Sequence, residues 1–84
     1  MKIFLSSKAD SQLKKLPKSF SELIISKIKL LVDNPHPPHT KKLAGREGWR
    51  IRVGDYRILY TVNNKQQEVI ILSVANRKDA YKHD

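Results

Sequence analysis

The sequence predicts an α+β fold of order β-α-α-β-β-β, with a helical hairpin packed on one face of a small, mainly antiparallel sheet. Two observations lead to this prediction. Before Trp49, apolar residues recur at intervals of three and four, which is typical of amphipathic helices. From Trp49 onward they alternate with polar residues, which is typical of half-buried strands. The 84 residues allow one modest core, so we expect a single domain spanning 1–84.

The first two elements are a strand and a short helix. Residues 2–6 are rich in Ile, Phe and Leu and predict the strand. Ser7 and Asp10 have the spacing of a capping box, in which each side chain accepts from a backbone N–H of the first helical turn. The helix that follows should end at Pro17, because proline removes a backbone donor and clashes with the preceding turn.

A second capping box, Ser19 with Glu22, predicts the start of a longer helix of about four turns. Its apolar positions form one stripe, which should pack against the sheet: Phe20, Leu23, Ile24, Ile28, Leu31 and Val32. Residues 33–40 contain three prolines and predict a stiff loop. His36 and His39 in this loop lack a carboxylate at ligand spacing, so no metal site is predicted.

Three strands should complete the fold as a meander. They are expected at residues 49–53, 56–62 and 68–74. Gly54-Asp55 is a tight-turn signal between the first two, and residues 63–66 form the second turn. The two helices would then cover the apolar face of this meander.

The charge of the chain limits its partners. Seventeen Lys and Arg against eight Asp and Glu give a formal net charge of +9 and a pI near 10.1. Such an excess favours polyanions, nucleic acid first, with an acidic protein or an anionic membrane as alternatives to it. A basic surface without a specific partner is the remaining alternative.

Several classes of protein are disfavoured by composition. The chain has no cysteine, which excludes disulfides, thiolate metal sites and cysteine nucleophiles. No stretch has the length of a signal peptide or a membrane span, so we expect a cytoplasmic protein without a membrane partner. In a chain of this size we expect no cofactor pocket.

The candidate site lies on the strands. Alternation places Arg50 and Arg52 on the side of their strand opposite Trp49, Ile51 and Val53. The turn at 54–55 returns the chain alongside them with Arg57, and we expect Arg77 to approach the same surface, followed by Tyr81. Lys41, Lys42 and Arg46 add to the local positive charge and are candidate RNA-binding residues. Guanidinium groups suit phosphate because two parallel N–H groups meet two oxygens. Solvated arginines on an exposed strand face would produce the same pattern.

Residues 42–60, KLAGREGWRIRVGDYRILY, resemble the core signature of the RelE/ParE toxin superfamily: a Leu-x-Gly linker, a basic strand, a Gly-Asp-Tyr-Arg turn and an apolar strand ending in tyrosine. Residues 73–77, SVANR, with Tyr81 after them, resemble its closing segment. The order of elements agrees as well, so the resemblance covers essentially the whole chain and implies a RelE-like fold.

The resemblance also implies a function. It points to a toxin that cleaves mRNA on the ribosome without a metal or other cofactor. Inhibition by a cognate acidic antitoxin is implied too, as is binding of operator DNA only through the toxin–antitoxin complex. Two alternatives stay open: a ParE-like toxin that acts on DNA gyrase, and a non-catalytic RNA-binding module.

Roles for individual residues follow from the same resemblance. Arg50 and Arg52 match basic positions that activate the 2′-hydroxyl or neutralise phosphate charge, and Arg57 matches the arginine that holds the scissile phosphate. Arg77 matches the arginine that stabilises the transition state or assists proton transfer, and Tyr81 matches the C-terminal tyrosine that stacks on and orients a base. Relatives often carry lysine at positions 50 and 52, and arginine keeps its proton, so a basic side chain acting as general base is not expected here. His83 is a further candidate acid or base.

Overall fold

The computed structural model describes residues 1–38 and 40–76 and has the predicted α+β architecture. The described elements are β1 (Lys2–Leu5), α1 (Ser7–Lys14), α2 (Lys18–Leu30), β2 (Thr40–Lys42), β3 (Trp49–Val53), β4 (Tyr56–Asn63) and β5 (Glu68–Asn76). The prediction of two helices on one face of a mainly antiparallel sheet is confirmed. Strand β2, which falls where the sequence predicted the end of a loop, is an addition to it.

The five strands form one sheet in the order β1-β5-β4-β3-β2. Strands β3, β4 and β5 make the predicted antiparallel meander, and β2 pairs antiparallel with β3 at one edge. Strand β1 pairs parallel with β5 at the other edge. Because β4 is the central strand, its side chains lie at the middle of both faces of the sheet.

The core lies between the sheet and the two helices. Helix α1 contributes Ala9 and Leu13, and α2 contributes Ile24 and Ile28, with Leu31 directly after it. The sheet contributes Ile51, Val53, Ile58, Tyr60, Val69, Ile71 and Val74. The apolar stripe predicted for the second helix is therefore buried at its centre, whereas Phe20 and Leu23 at its margin stay about half exposed. None of the described helices has the length and apolar character needed to cross a membrane.

The two predicted capping boxes are wrong in detail. Helix α1 is capped by Ser6, one residue earlier than predicted, whose side chain accepts from the Ala9 backbone N–H. Helix α2 begins at Lys18 behind Pro17 and has no side-chain cap. The fixed backbone angle of proline suits the entry to a helix, so Pro17 starts α2 without the help of Ser19.

Two polar side chains fasten α1 to strand β5. The Ser6 hydroxyl donates to the Leu72 carbonyl at 2.7 Å, and the Gln12 side-chain oxygen accepts from the Val74 N–H at 2.6 Å. Both contacts flank a β-bulge, where Leu59 pairs with Ser73 while Tyr60 pairs with Ile71. The side chains thus satisfy backbone groups of β5 next to the extra residue, which disturbs the regular ladder.

Candidate nucleic-acid interface

Arginine side chains of β3 and β4 project from the sheet surface that faces away from the helices, which we call the open face. Ile51 and Val53 are buried towards the helices, so Arg50 and Arg52, which alternate with them, lie on the open face. Arg57 likewise alternates with the buried Ile58 of β4. The predicted alternation is therefore present in the structure.

The strand register brings these residues into two rows. Arg52 lies directly opposite Arg57, and Arg50 lies opposite Lys41 of β2 on one side and Leu59 of β4 on the other. We call Lys41, Arg50, Arg52 and Arg57 the cationic patch. Directly opposed residues of an antiparallel pair have Cβ atoms about 4.5–5.5 Å apart, and like charges at that distance destabilise the pair. An anion bound between opposed cations would offset this repulsion.

A tight turn fixes the geometry of the β3–β4 hairpin. Gly54 has a φ of 58°, whereas Asp55 keeps a negative φ, as in a type II′ turn with glycine at its first central position. The Arg52 Nε–H donates to the Gly54 carbonyl at 3.0 Å. One side of this guanidinium is thus held by the turn, while its remaining N–H groups can still meet phosphate oxygens.

Some predicted site residues do not join the patch. Lys42 pairs with Trp49, so it lies on the face of the sheet that carries the helices. Arg46 is exposed in the connection between β2 and β3, on neither row. Arg77, Tyr81 and His83 lie outside the described residues, as does His39. Sequence reasoning grouped Lys41 with Lys42, and only the pairing of β2 with β3 separates them.

The chemistry available on the two rows is electrostatic. Besides the cationic patch, the described members of these rows are Leu59, Ser73 and Ala75, and none of these described side chains is a carboxylate or an imidazole. Guanidinium groups aimed at a phosphate can stabilise the charge that builds on its oxygens during a displacement. Among the described residues, no three His, Asp or Glu side chains lie close enough together to hold a metal ion.

A buried tyrosine of the central strand β4 lies on the helix side of the sheet, behind the open face. The Tyr60 side chain is fully buried, and its hydroxyl donates to the Pro35 carbonyl at 2.6 Å. Burial raises the pKa of Tyr60 to about 12, with a smaller opposing effect from its hydrogen bond with Thr40. In the same region the His36 ring packs against the Trp49 ring, with 4.2 Å between the two ring centroids. These contacts hold the proline-rich loop against the beginning of β3.

The class of protein follows from comparison with known families. The family described as the ParE toxin of type II toxin–antitoxin systems, parDE, matches residues 3–81. The chain therefore belongs to this family, and it is a type II toxin of the RelE/ParE superfamily. No curated protein is similar enough in sequence to count as a match.

Solved structures agree with this assignment. The archaeal RelE–RelB complex from Pyrococcus horikoshii OT3 superposes with a TM-score of 0.81 at 28% identity, over 90% of this chain and 93% of the other. The RelBE2 toxin–antitoxin complex from Mycobacterium tuberculosis gives 0.77 at 28% identity, over 90% and 96%. The isolated E. coli RelE toxin gives 0.78 at 21% identity, over 98% and 96%, and at that identity supports the fold alone.

Proposed function

We propose that this toxin is an endoribonuclease that cuts mRNA on the ribosome and needs no metal ion. The observation that carries the proposal is the cationic patch, where four cations from three strands occupy two neighbouring rows of one sheet face. Such a surface suits the phosphates of a single RNA strand. Guanidinium groups hold phosphate through bidentate contacts, and these contacts need only a shallow site.

The reaction would be attack of a ribose 2′-hydroxyl on the adjacent 3′-phosphate, breaking the bond to the 5′-oxygen of the next nucleotide. The products would be a 2′,3′-cyclic phosphate and a 5′-hydroxyl. Arg57 would hold the scissile phosphate, and Arg50 and Arg52 would neutralise charge on its non-bridging oxygens. The protein would also hold the nucleophile and the leaving group in line, which lowers the entropic part of the barrier.

Two further residues enter from the resemblance to RelE toxins. Arg77 would stabilise the transition state, and Tyr81 would stack on a base next to the cut. Arginines stay protonated at neutral pH, so the patch orients and neutralises rather than accepting the proton of the 2′-hydroxyl. Ribosomal RNA or a residue outside residues 1–38 and 40–76 would then take that proton, and the departing 5′-oxygen would take a proton from water to become the 5′-hydroxyl.

Induction of the toxin in cells, with mRNA 5′ ends mapped across the transcriptome, tests the proposal. We expect new 5′ ends inside translated codons. Loss of one electrostatic donor typically costs about 10²–10³ in rate, so Arg57→Ala should abolish these ends. Lys65→Ala, in the exposed turn between β4 and β5, is the matched control and should cut as wild type does. Equal cleavage by the Arg57→Ala and wild-type proteins would contradict the proposal.

A second candidate function is inhibition of DNA gyrase, which the match to the parDE toxin family favours. It predicts DNA breaks and arrested replication without new mRNA ends. The same induction experiment separates the two, because broken DNA with intact mRNA would replace the nuclease proposal by this one.

We also propose an acidic antitoxin as the partner, with the toxin acting in the cytoplasm and its complex, not the free toxin, binding operator DNA. The solved P. horikoshii and M. tuberculosis structures are toxin–antitoxin complexes. The net charge of +9 favours an acidic partner. Exposed apolar side chains of α2, namely Phe20, Leu23 and Leu30, give it a hydrophobic surface to cover.

A further inference from the structure

The open face continues beyond the cationic patch onto strands β5 and β1. Phe4 of β1 lies beside Ile70 of β5, which in turn lies opposite Thr61 of β4. Thr61 follows Leu59 by two residues, so this row is the next one on the same face as the row of Arg50. Phe4 and the arginines therefore lie on one continuous sheet surface.

Phe4 is exposed on the open face, at the edge strand of the sheet. Its neighbour Ile3 is partly buried against the core, whereas 46% of the Phe4 surface is exposed on the open face. Leu59, Thr61 and Ile70, which separate it from the arginines, are uncharged and only partly exposed. The Phe4 ring thus lies beside an uncharged part of the open face that begins where the cationic patch ends.

We propose that Phe4 is a stacking platform for a base of the single-stranded RNA whose phosphates bind the cationic patch. This inference rests on the proposed function and extends its binding site across the sheet. Stacking on an aromatic ring is tolerant of sequence, because every base presents a π-face. Phe4 would therefore direct the RNA strand across the sheet and strengthen its binding without selecting one base.

The dimensions of the sheet allow one strand to reach both places. Phe4 lies three strands away from Arg50 and one row further along. Strand spacing of about 4.8 Å and a rise of about 3.4 Å per residue give a separation of about 16 Å. Small domains that bind single-stranded RNA or DNA hold about four or more nucleotides, so this span falls within one bound strand.

The charge of the surface favours RNA over an apolar protein segment as the occupant. A protein segment would cover Phe4 without needing the row of cations beside it. RNA uses both parts, because its phosphates meet arginine and lysine while its unstacked bases meet an aromatic ring. Continuity between the cationic patch and the ring therefore favours RNA over an apolar protein segment, and binding of the acidic antitoxin at Phe4 is the competing outcome of the test.

Binding of short fluorescent RNA oligomers to the purified full-length protein tests the inference. Phe4→Leu keeps an apolar side chain of similar size and removes the ring. We expect it to weaken binding by about 5- to 150-fold, the range for loss of one stacked base. An abasic oligomer of equal length and charge should bind wild type and Phe4→Leu equally, and Phe4→Tyr should retain wild-type binding of the ordinary oligomer.

Ile25→Ala is the control, because Ile25 is 40% exposed but lies on α2, on the other side of the sheet. It should leave binding unchanged. The slope of log affinity against log salt should be the same for wild type and Phe4→Leu, since no phosphate contact is lost.

Three outcomes would overturn the inference. In the first, Phe4→Leu binds the ordinary oligomer as wild type does. In the second, it loses the abasic oligomer equally, which would indicate a structural role. In the third, it weakens only the antitoxin complex, which would assign Phe4 to a protein interface. If wild type cuts mRNA in cells and Phe4 has no effect on RNA binding, the inference fails alone; if wild type neither binds RNA nor cuts mRNA in cells, the proposed nuclease function fails with it.

Discussion

The opposed arginines of β3 and β4 repel each other in the folded sheet, and the same arrangement favours the binding of a phosphate. Arg52 and Arg57 face each other directly, which raises the energy of the folded sheet. A phosphate placed between such groups removes the repulsion and gains charge-assisted hydrogen bonds. A solvated strand face without a partner would gain nothing from this arrangement.

Replacement of one of these arginines should separate stability from binding. We expect Arg52→Gln to change the free energy of unfolding at low salt by less than about 1 kcal/mol, because the gain from removing a like-charge pair is offset by the loss of the Arg52–Gly54 hydrogen bond. The same change should weaken RNA binding. Urea denaturation together with oligomer titration measures both quantities. A loss of stability of more than about 2 kcal/mol together with the loss of RNA affinity would show that Arg52 is a structural residue.

Tyr60 gives the fold a dependence on alkaline pH. Burial raises its pKa from 10.0 to about 12, so above pH 10 the unfolded chain loses a proton that the folded chain keeps. The stabilising effect is complete below pH 10 and is lost as the pH rises towards 12. It amounts to about 2–3 kcal/mol.

Tyr60→Phe isolates this effect, since lysines and the other tyrosines titrate in both proteins. At neutral pH the variant should be less stable by about 1–3 kcal/mol, because the Pro35 carbonyl loses its donor. The difference between the two proteins should shrink between pH 10 and 12. Urea denaturation across this pH range measures it, and a difference that stays constant would refute the assigned cause.

At the scale of elements, the link between β2 and β3 depends on one glycine. Gly48 has a φ of 129° and is buried, and a Cβ placed there would lie 3.0 Å from Leu43 Cδ1 and 3.1 Å from the Tyr60 carbonyl oxygen. The Leu43 N–H donates to the Gly48 carbonyl at 3.0 Å and closes the connection. The position of Lys41 beside Arg50 depends on this closure.

Gly48→Ala should therefore destabilise the protein by about 1–3 kcal/mol through backbone strain, with crowding in addition. Gly45→Ala is the control, because Gly45 also has a positive φ of 72° but nothing lies within 4 Å of its added Cβ. We expect the smaller loss there. Thermal denaturation of both variants compares them, and equal losses would show that crowding at Gly48 has no effect.

The elements with a regular repeat of apolar residues were predictable from sequence. The strand and the helix start that depend on single pairing or capping contacts were not. The stripe of α2 and the alternation of β3 gave their type and their buried faces. Strand β2 is three residues, Thr-Lys-Lys, with no apolar alternation, and it exists only through its pairing with β3. Ser6 replaces Ser7 as the cap of α1 because its hydroxyl also bonds to Leu72, a contact between residues 66 apart in sequence.

At the scale of the whole molecule, the charge should appear in the salt dependence of RNA binding. Each neutralised phosphate contributes about −0.7 to the slope of log affinity against log salt, so the four cations of the patch predict about −3. Arg50→Gln should reduce the slope to about −2. Lys14→Gln is the control, since Lys14 lies on α1 and pairs with Asp10 at 3.0 Å. A shallow slope in wild type would contradict the patch as the RNA site.

The face of each arginine could be deduced from the sequence, but the extent of the binding surface could not. Local alternation fixes which side of a strand a residue takes. It does not show that β1 joins the sheet next to β5, because parallel pairing of distant strands leaves no local signal. The position of Phe4 on the same face as the arginines is thus known only from the structure.

The pairing of β1 with β5 has a consequence for the order of folding during synthesis. The ribosome makes proteins from the N-terminus, and β1 has no strand partner until Glu68–Asn76 has been made. Until then the Ile, Phe and Leu side chains of β1 have no sheet to pack in, and β4 has no neighbouring β5 beside its arginine. The open face of a nascent chain is therefore incomplete until β5 has been made, and a partner protein already present could meet the chain when the sheet closes.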